Sequence, residues 1–335
     1  MVVLSYPLPE VQGQPFTQDI EIVSGTVPPT ATPIPPSLTS VNINDGATDT
    51  TTDTVGLRVA YDRVIDRDPW NPIYRVEVSS DGVEWIATMA HRNSMGIPTN
   101  AYGKLSPGNG IKTIYARSLE NPSVIVSDTI NMDTSADQNN SLSINEDAIF
   151  TNHISVTLKM GAEPYTSQMQ VSNGGGFLEA EWEPFSIQKQ WAITQFGNYV
   201  IPRTVYMRFK YFNGEISSTY QDDIILDVTP PVGSISVVSP TIASTSNNDS
   251  SVTLNLSASD DVSGVAGVII STRSDFTNAV WESIVSTRLL SVTADDTTVY
   301  AKFKDNAGNI SGAAMASIKQ APMNTNVILL PLVSK

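Results

Sequence analysis

One stretch occurs three times in this chain, and its spacing constrains the fold more than any other feature. Near the C-terminus it reads Thr298-Val299-Tyr300-Ala301-Lys302-Phe303-Lys304, earlier Thr204-Val205-Tyr206-Met207-Arg208-Phe209-Lys210, and before that Thr113-Ile114-Tyr115-Ala116-Arg117. In each copy an isoleucine follows ten residues after the tyrosine, at Ile125, Ile216 and Ile310. The tyrosines lie 91 and 94 residues apart. Self-similarity at that period describes one small β domain, repeated. Side chains alternate across a strand, so Ile114 and Ala116, then Val205, Met207 and Phe209, then Val299, Ala301 and Phe303 take the inner face.

Other landmarks recur in the same order. The central leucines are Leu57, Leu158 and Leu254, each on an alternating run, and the tryptophans Trp85, Trp182 and Trp281 each follow a hairpin. Short alternating strands with frequent turn signals, and no helical-period stretch long enough for a crossover, indicate antiparallel β-sandwiches. Three full repeats are expected, over residues 37–135, 136–228 and 229–320. Residues 1–25 read as an orphan β-hairpin, the remnant of a further repeat or a pair of donor strands, whose apolar face carries Phe16, Ile20 and Ile22. A lone hairpin is marginal in water, so that face needs a partner. Residues 26–36 are a stiff Pro/Thr linker. Residues 321–335 form an apolar tail strand with Val327, Ile328, Leu329, Leu330 and Leu332, which would be an aggregation-prone edge if left unpaired.

Composition removes several function classes. The net charge is −15 and lysine and arginine are nowhere concentrated, so a phosphate-neutralising surface for nucleic acid has nothing to be built from. No apolar run reaches the eighteen or so residues of a transmembrane helix. The two histidines, His91 and His153, have no obvious partners, so a Ser/His/Asp or zinc-histidine arrangement lacks material and no enzyme is expected. There is no cysteine, which suits an exported protein whose domains need no bridges. The segment from Met1 to Pro7 has neither the positive region nor the apolar core of a secretory signal. Either a signal has been removed or the chain is part of a longer polypeptide.

The third repeat carries Asp227-Val228-Thr229-Pro230-Pro231, Ala258 to Val265 with Asp260 and Asp261, and Asp305-Asn306-Ala307-Gly308-Asn309. It resembles the bacterial immunoglobulin-like domains strung along secreted and cell-surface proteins. The likeness weakens toward the first repeat, where the Asp-Asn-Ala-Gly-Asn turn is replaced by Glu120-Asn121-Pro122. The resemblance implies an all-β chain of tandem Ig-like sandwiches in an extended row, extracellular or on a bacterial surface, and a family of spacers and adhesive modules without a shared catalytic site.

Candidate sites follow from the residues. Tyr115, Tyr206 and Tyr300 with their cationic neighbours form either a docking surface or an outer face that covers itself. Trp85, Trp182 and Trp281 recur, which marks a core plug or hairpin packing role. Trp70 and Trp191 have no counterparts and are the better residues to stack on a surface glycan. Asp260, Asp261 and Asp305 lie on two loops that a sandwich could bring together; their oxygens suit Ca²⁺, or else cap their own turns. No other cofactor is expected. Two functional readings remain. One is a stalk, surface-layer or filament subunit that assembles head-to-tail with copies of itself through its terminal strands. The other is the C-terminal spacer or adhesive region of a larger secreted adhesin or hydrolase, partnered by its own upstream domains.

Overall fold

The structure of the protein, a computed structural model, describes residues 35–62, 74–92, 98–197, 199–239, 250–293 and 295–318. Contacts divide the chain into two units, Met1–Pro35 and Pro36–Lys335, and only the second is described below. The expected hairpin with Phe16, Ile20 and Ile22, the linker before Pro35, Trp70, and the tail with Val327, Ile328, Leu329, Leu330 and Leu332 lie outside the described residues.

The chain is all-β. The first repeat contributes β1 (Leu38–Ile43), β2 (Asp49–Thr50), β3 (Thr54–Tyr61), β4 (Tyr74–Ser79), β5 (Ile86–Arg92), β6 (Pro98–Lys104), β7 (Gly110–Ser118) and β8 (Ile125–Met132). The second gives β9 (Ser141–Ile144), β10 (Phe150–Thr151), β11 (Ser155–Gly161), β12 (Thr166–Ser172), β13 (Glu183–Pro184), β14 (Gln188–Ala192), β15 (Pro202–Tyr211) and β16 (Tyr220–Leu226). The third gives β17 (Val232–Ser239), β18 (Ser250–Ser259), β19 (Val265–Ser271), β20 (Trp281–Glu282), β21 (Thr287–Val292), β22 (Thr298–Asp305) and β23 (Ala314–Ser317). Among the described residues the helical content is one 3-10 turn, Asn44–Gly46.

The second and third repeats each set a three-stranded sheet, β14-β11-β9 or β17-β18-β21, against a larger one, β10-β16-β15-β12-β13 or β20-β19-β22-β23. In the first repeat both halves run into one eight-stranded sheet, β1-β3-β6-β5-β4-β7-β8-β2, because β5 pairs with β6 across what would be the open edge. That sheet folds back on itself, and the Ile43 amide of β1 donates to Asp128 of β8 at 2.8 Å.

The thrice-occurring strand is the spine of each repeat. Ile114 and Ala116, Val205, Met207 and Phe209, and Val299, Ala301 and Phe303 are all 0% exposed. Burying each of the larger side chains contributes about 1.5–3 kcal/mol. The tyrosine-to-isoleucine spacing has a local cause: the strand turns back on itself, so Lys210 bridges Ile216 and Lys304 bridges Ile310. A serine hydroxyl then takes the next inward amide, Ser217 from Phe209 and Ser311 from Phe303, both at 2.9 Å. A second repeated device opens the first two repeats. Asn44 and Asn145 adopt positive φ, 44° and 49°, a region asparagine tolerates better than most residues. Each uses its side-chain oxygen to accept an amide of the strand paired with the one before it, from Gly56 on β3 and Thr157 on β11, at 2.8 Å.

The core is not partitioned evenly. Buried residues of the first and second repeats form one continuous cluster, from Leu38 through Leu226. The third repeat has its own cluster, centred on Leu254, Val268 and Phe303.

Candidate functional site

The outer face of the spine covers itself. Tyr115, Tyr206 and Tyr300 are half-buried, and the cations beside them lie over aromatic rings. Arg117 sits 3.9 Å from the Trp85 ring centroid, Arg208 lies 4.5 Å from Phe177 and 5.4 Å from Trp182, and Lys304 lies 5.0 Å from Trp281. The three recurrent tryptophans are therefore hairpin-packing residues on the outside of the sheet rather than core plugs. Arg117 also pairs with Glu77 at 2.7 Å, and Arg208 donates to Gln170 at 2.6 Å. Half-exposed cation–ring contacts contribute about 0.5–1 kcal/mol. Arg208→Ala is accordingly expected to cost about 1 kcal/mol in urea unfolding, against about 2–5 kcal/mol for its inward neighbour Met207→Ala. Equal costs would mean that this face is structural core.

The repeats differ where they meet. Each later repeat presents two loops to its predecessor, one after its second strand and one after its spine. In the second repeat these are residues 162–165 and 211–215. The Ala162 carbonyl accepts the Thr51 hydroxyl at 2.7 Å, and the neighbouring Phe185 carbonyl accepts the Thr48 amide at 3.0 Å and hydroxyl at 2.8 Å. Phe212, 3% exposed, lies flat against Gly56 of the first repeat. Arg58 is over the same ring at 4.9 Å, and Tyr102 meets it edge-on at 6.2 Å. Beside this plug opens a cleft of about 240 Å³, bordered by Tyr102 from the first repeat and Glu163, Tyr165, Tyr211, Phe212 and Glu215 from the second. Tyr102 and Tyr165 pack edge-to-face at 5.5 Å. The Tyr211 hydroxyl accepts Asn140 Nδ2 at 2.6 Å and donates to Glu163 at 3.2 Å. Burial raises its pKa, opposed by the Asn140 hydrogen bond and reinforced by the Glu163 charge, so it remains a donor.

In the third repeat the same two loops are residues 260–264 and 305–309. They close on Asp227, the residue that follows β16. Asp227, Asp260 and Asp305 bring carboxylate oxygens within 4.8 Å of one another, and Asp227 and Asp305 are 2% and 1% exposed. Their surroundings are donors. Asp227 accepts the Thr229 amide at 3.0 Å and the Ser263 amide at 3.2 Å; Asp260 Oδ1 accepts the amides of Val262, Ser263 and Gly264. Both oxygens of Asp305 accept from Asn309, whose side chain also donates to the Asp227 carbonyl at 2.8 Å. Among the described residues this is the group that could hold a hard cation. Ca²⁺ takes about six to eight oxygens, however, and both oxygens of Asp227 and of Asp305 are already committed to N–H donors. Turn capping accounts for the geometry.

The structure thus brings Asp260 and Asp305 together, adds Asp227, and leaves Asp261 exposed outside the group. Asp227 stands two residues before Thr229-Pro230-Pro231, at the boundary between the second and third repeats, and that position was the only sequence signal that could have pointed to it. Trp191 sits on β14 opposite Val156, partly buried against the core. Its indole N–H donates to Asn173 at 2.7 Å and Lys189 lies 5.6 Å from its ring. His153 is exposed and lies just after β10. The cleft residues carry no motif of their own. What marks them is that Glu163-Pro164-Tyr165 and Tyr211-Phe212-Asn213 stand where the third repeat has its aspartates.

No known protein family matches the sequence, and no curated protein matches it. Among solved structures the chain is similar to fibronectin(III)-like modules of Clostridium thermocellum CbhA, at 11% identity over 52% of this chain and 92% of that one, with a TM-score of 0.36. It is similar to the chicken CNTN1 FN1-FN3 domains at 14% identity over 85% of this chain and all of the other, with a TM-score of 0.34. It is also similar to the central fibronectin-III array of RIM-binding protein, at 12% identity, 86% and 98% coverage, and a TM-score of 0.23.

Proposed function

We propose that this chain is a non-catalytic structural protein of the cell surface or extracellular space, a spacer whose repeats are coupled in series and which assembles head-to-tail through its terminal segments. The observation that supports the spacer reading is the use of one pair of loops at both junctions. Phe212 is seated on Gly56 at the first, and Asn309 is tied to Asp227 at the second. A spacer transmits position only if its joints resist bending, and buried plugs and side-chain ties at equivalent positions supply that resistance. The assembly step rests on the apolar residues of the two termini, which need partners in water. Electron microscopy of the purified full chain is expected to show regular polymers, and deletion of residues 1–36 is expected to leave soluble monomers. Polymers that persist unchanged after that deletion would refute terminal assembly. Particles whose neighbouring repeats adopt random angles would refute the spacer.

A further inference from the structure

We propose that the cleft between the first two repeats is a binding site for an alkylammonium group, carried either by a small free amine or by a lysine side chain of a partner polypeptide. Four of the residues that line one volume of about 240 Å³ are aromatic, Tyr102 from the first repeat and Tyr165, Tyr211 and Phe212 from the second. That is below the range of drug-sized sites and matches a head group rather than a whole ligand. Ring faces attract cations, and several rings around one volume form a cage for an ammonium.

The polar groups at the cleft have the complementary sign. Glu163 is held by the Tyr211 hydroxyl, and Glu215 accepts Asn213 Nδ2 at 2.7 Å while its own amide donates back to Asn213 at 2.9 Å. Among the described residues neither glutamate is in an ion pair. Arg58, behind the Phe212 ring, is committed to Asp45 and Asn100. Two hydrogen-bonded, exposed carboxylates thus stand beside four aromatic residues without a cationic side chain paired to them among the described residues.

The test is calorimetric titration of the full chain with choline and, separately, with N-acetyl-lysine methylamide, using glucose as the neutral control. Saturable binding of either amine is expected, weakening as salt is raised. Tyr165→Ala and the double variant Glu163→Gln/Glu215→Gln, which leave the Phe212 plug in place, are each expected to weaken binding about ten-fold or more. Bound amine should also raise the melting temperature of the first two repeats, because the site spans both. Choline alone binding identifies a free quaternary amine as the source, and the lysine derivative alone identifies a polypeptide. Failure of both amines at millimolar concentration, equal binding of glucose, or undiminished binding by both variants overturns the proposal.

Discussion

Phe303→Ala is expected to unfold the third repeat at much lower denaturant while leaving the first two unchanged. The ring is 0% exposed, and a Cβ added at Gly233 would meet it directly, so strand β17 passes over it at the closest approach a backbone allows. Truncation removes the transfer free energy of the ring and leaves a cavity that the glycine cannot fill, a loss of about 3–5 kcal/mol. Single domains are stable by about 5–15 kcal/mol, so the repeat would lose a large share of what holds it. The effect stays local because the third core shares no buried residue with the other. Its described links to the second repeat are the ties around Asp227 and the approach of Gly308 to Asn152. Hydrogen exchange read peptide by peptide is the suitable measurement. Protection should fall over residues 232–318 and hold over 38–226. Loss along the whole chain would show that the two cores unfold as one.

The spine strands were readable in full from sequence, since a period of two with apolar residues at Val205, Met207 and Phe209 leaves only one face to bury. The outer face was half readable. Arginine beside tyrosine predicts a cation over the tyrosine ring, whereas the cations lie over tryptophan and phenylalanine rings; the recurrence of Trp85, Trp182 and Trp281 is equally consistent with a place inside or outside the sheet, and the structure puts all three outside. The joining of β5 to β6 in the first repeat, which merges two sheets into one, depends on pairing between strands whose sequences carry no mark of it. The junctions were least readable because their chemistry changes at each copy. The inward row of the spine ends in Glu120, Tyr211 and Asp305 in turn, so one backbone position carries three different chemistries. Aligning the copies shows where a junction must lie, and only the fold shows that Asp227 and not Asp261 joins Asp260 there.

Gly56→Val is expected to part the first repeat from the second while leaving each folded. A Cβ at this position would lie 2.5 to 2.8 Å from three carbons of the Phe212 ring, well inside van der Waals contact. Arg58 lies over the ring and Tyr102 at its edge, so displacing it also disturbs those contacts. Gly56 is not among the glycines held at positive φ, so the backbone can accept valine and the conflict is confined to the junction. Overpacking costs about 1–3 kcal/mol, and expelling the ring forfeits about 1.5–3 kcal/mol of burial. Together these weaken a junction that the shared core and a few hydrogen bonds otherwise hold. In the unaltered chain the continuous core predicts a single thermal transition for the first two repeats; in the variant that transition should divide into two, with a wider spread of inter-repeat distances in solution scattering. Phe212→Ala separates the steric effect from the loss of burial. It removes the plug without a clash, so the repeats should be less stably joined but not forced apart. If Gly56→Val melts in one unchanged transition at an unchanged distance distribution, the Phe212 contact does not hold the repeats together, and the stiffness of this junction comes from the shared core and from the Thr48 and Thr51 hydrogen bonds to Phe185 and Ala162.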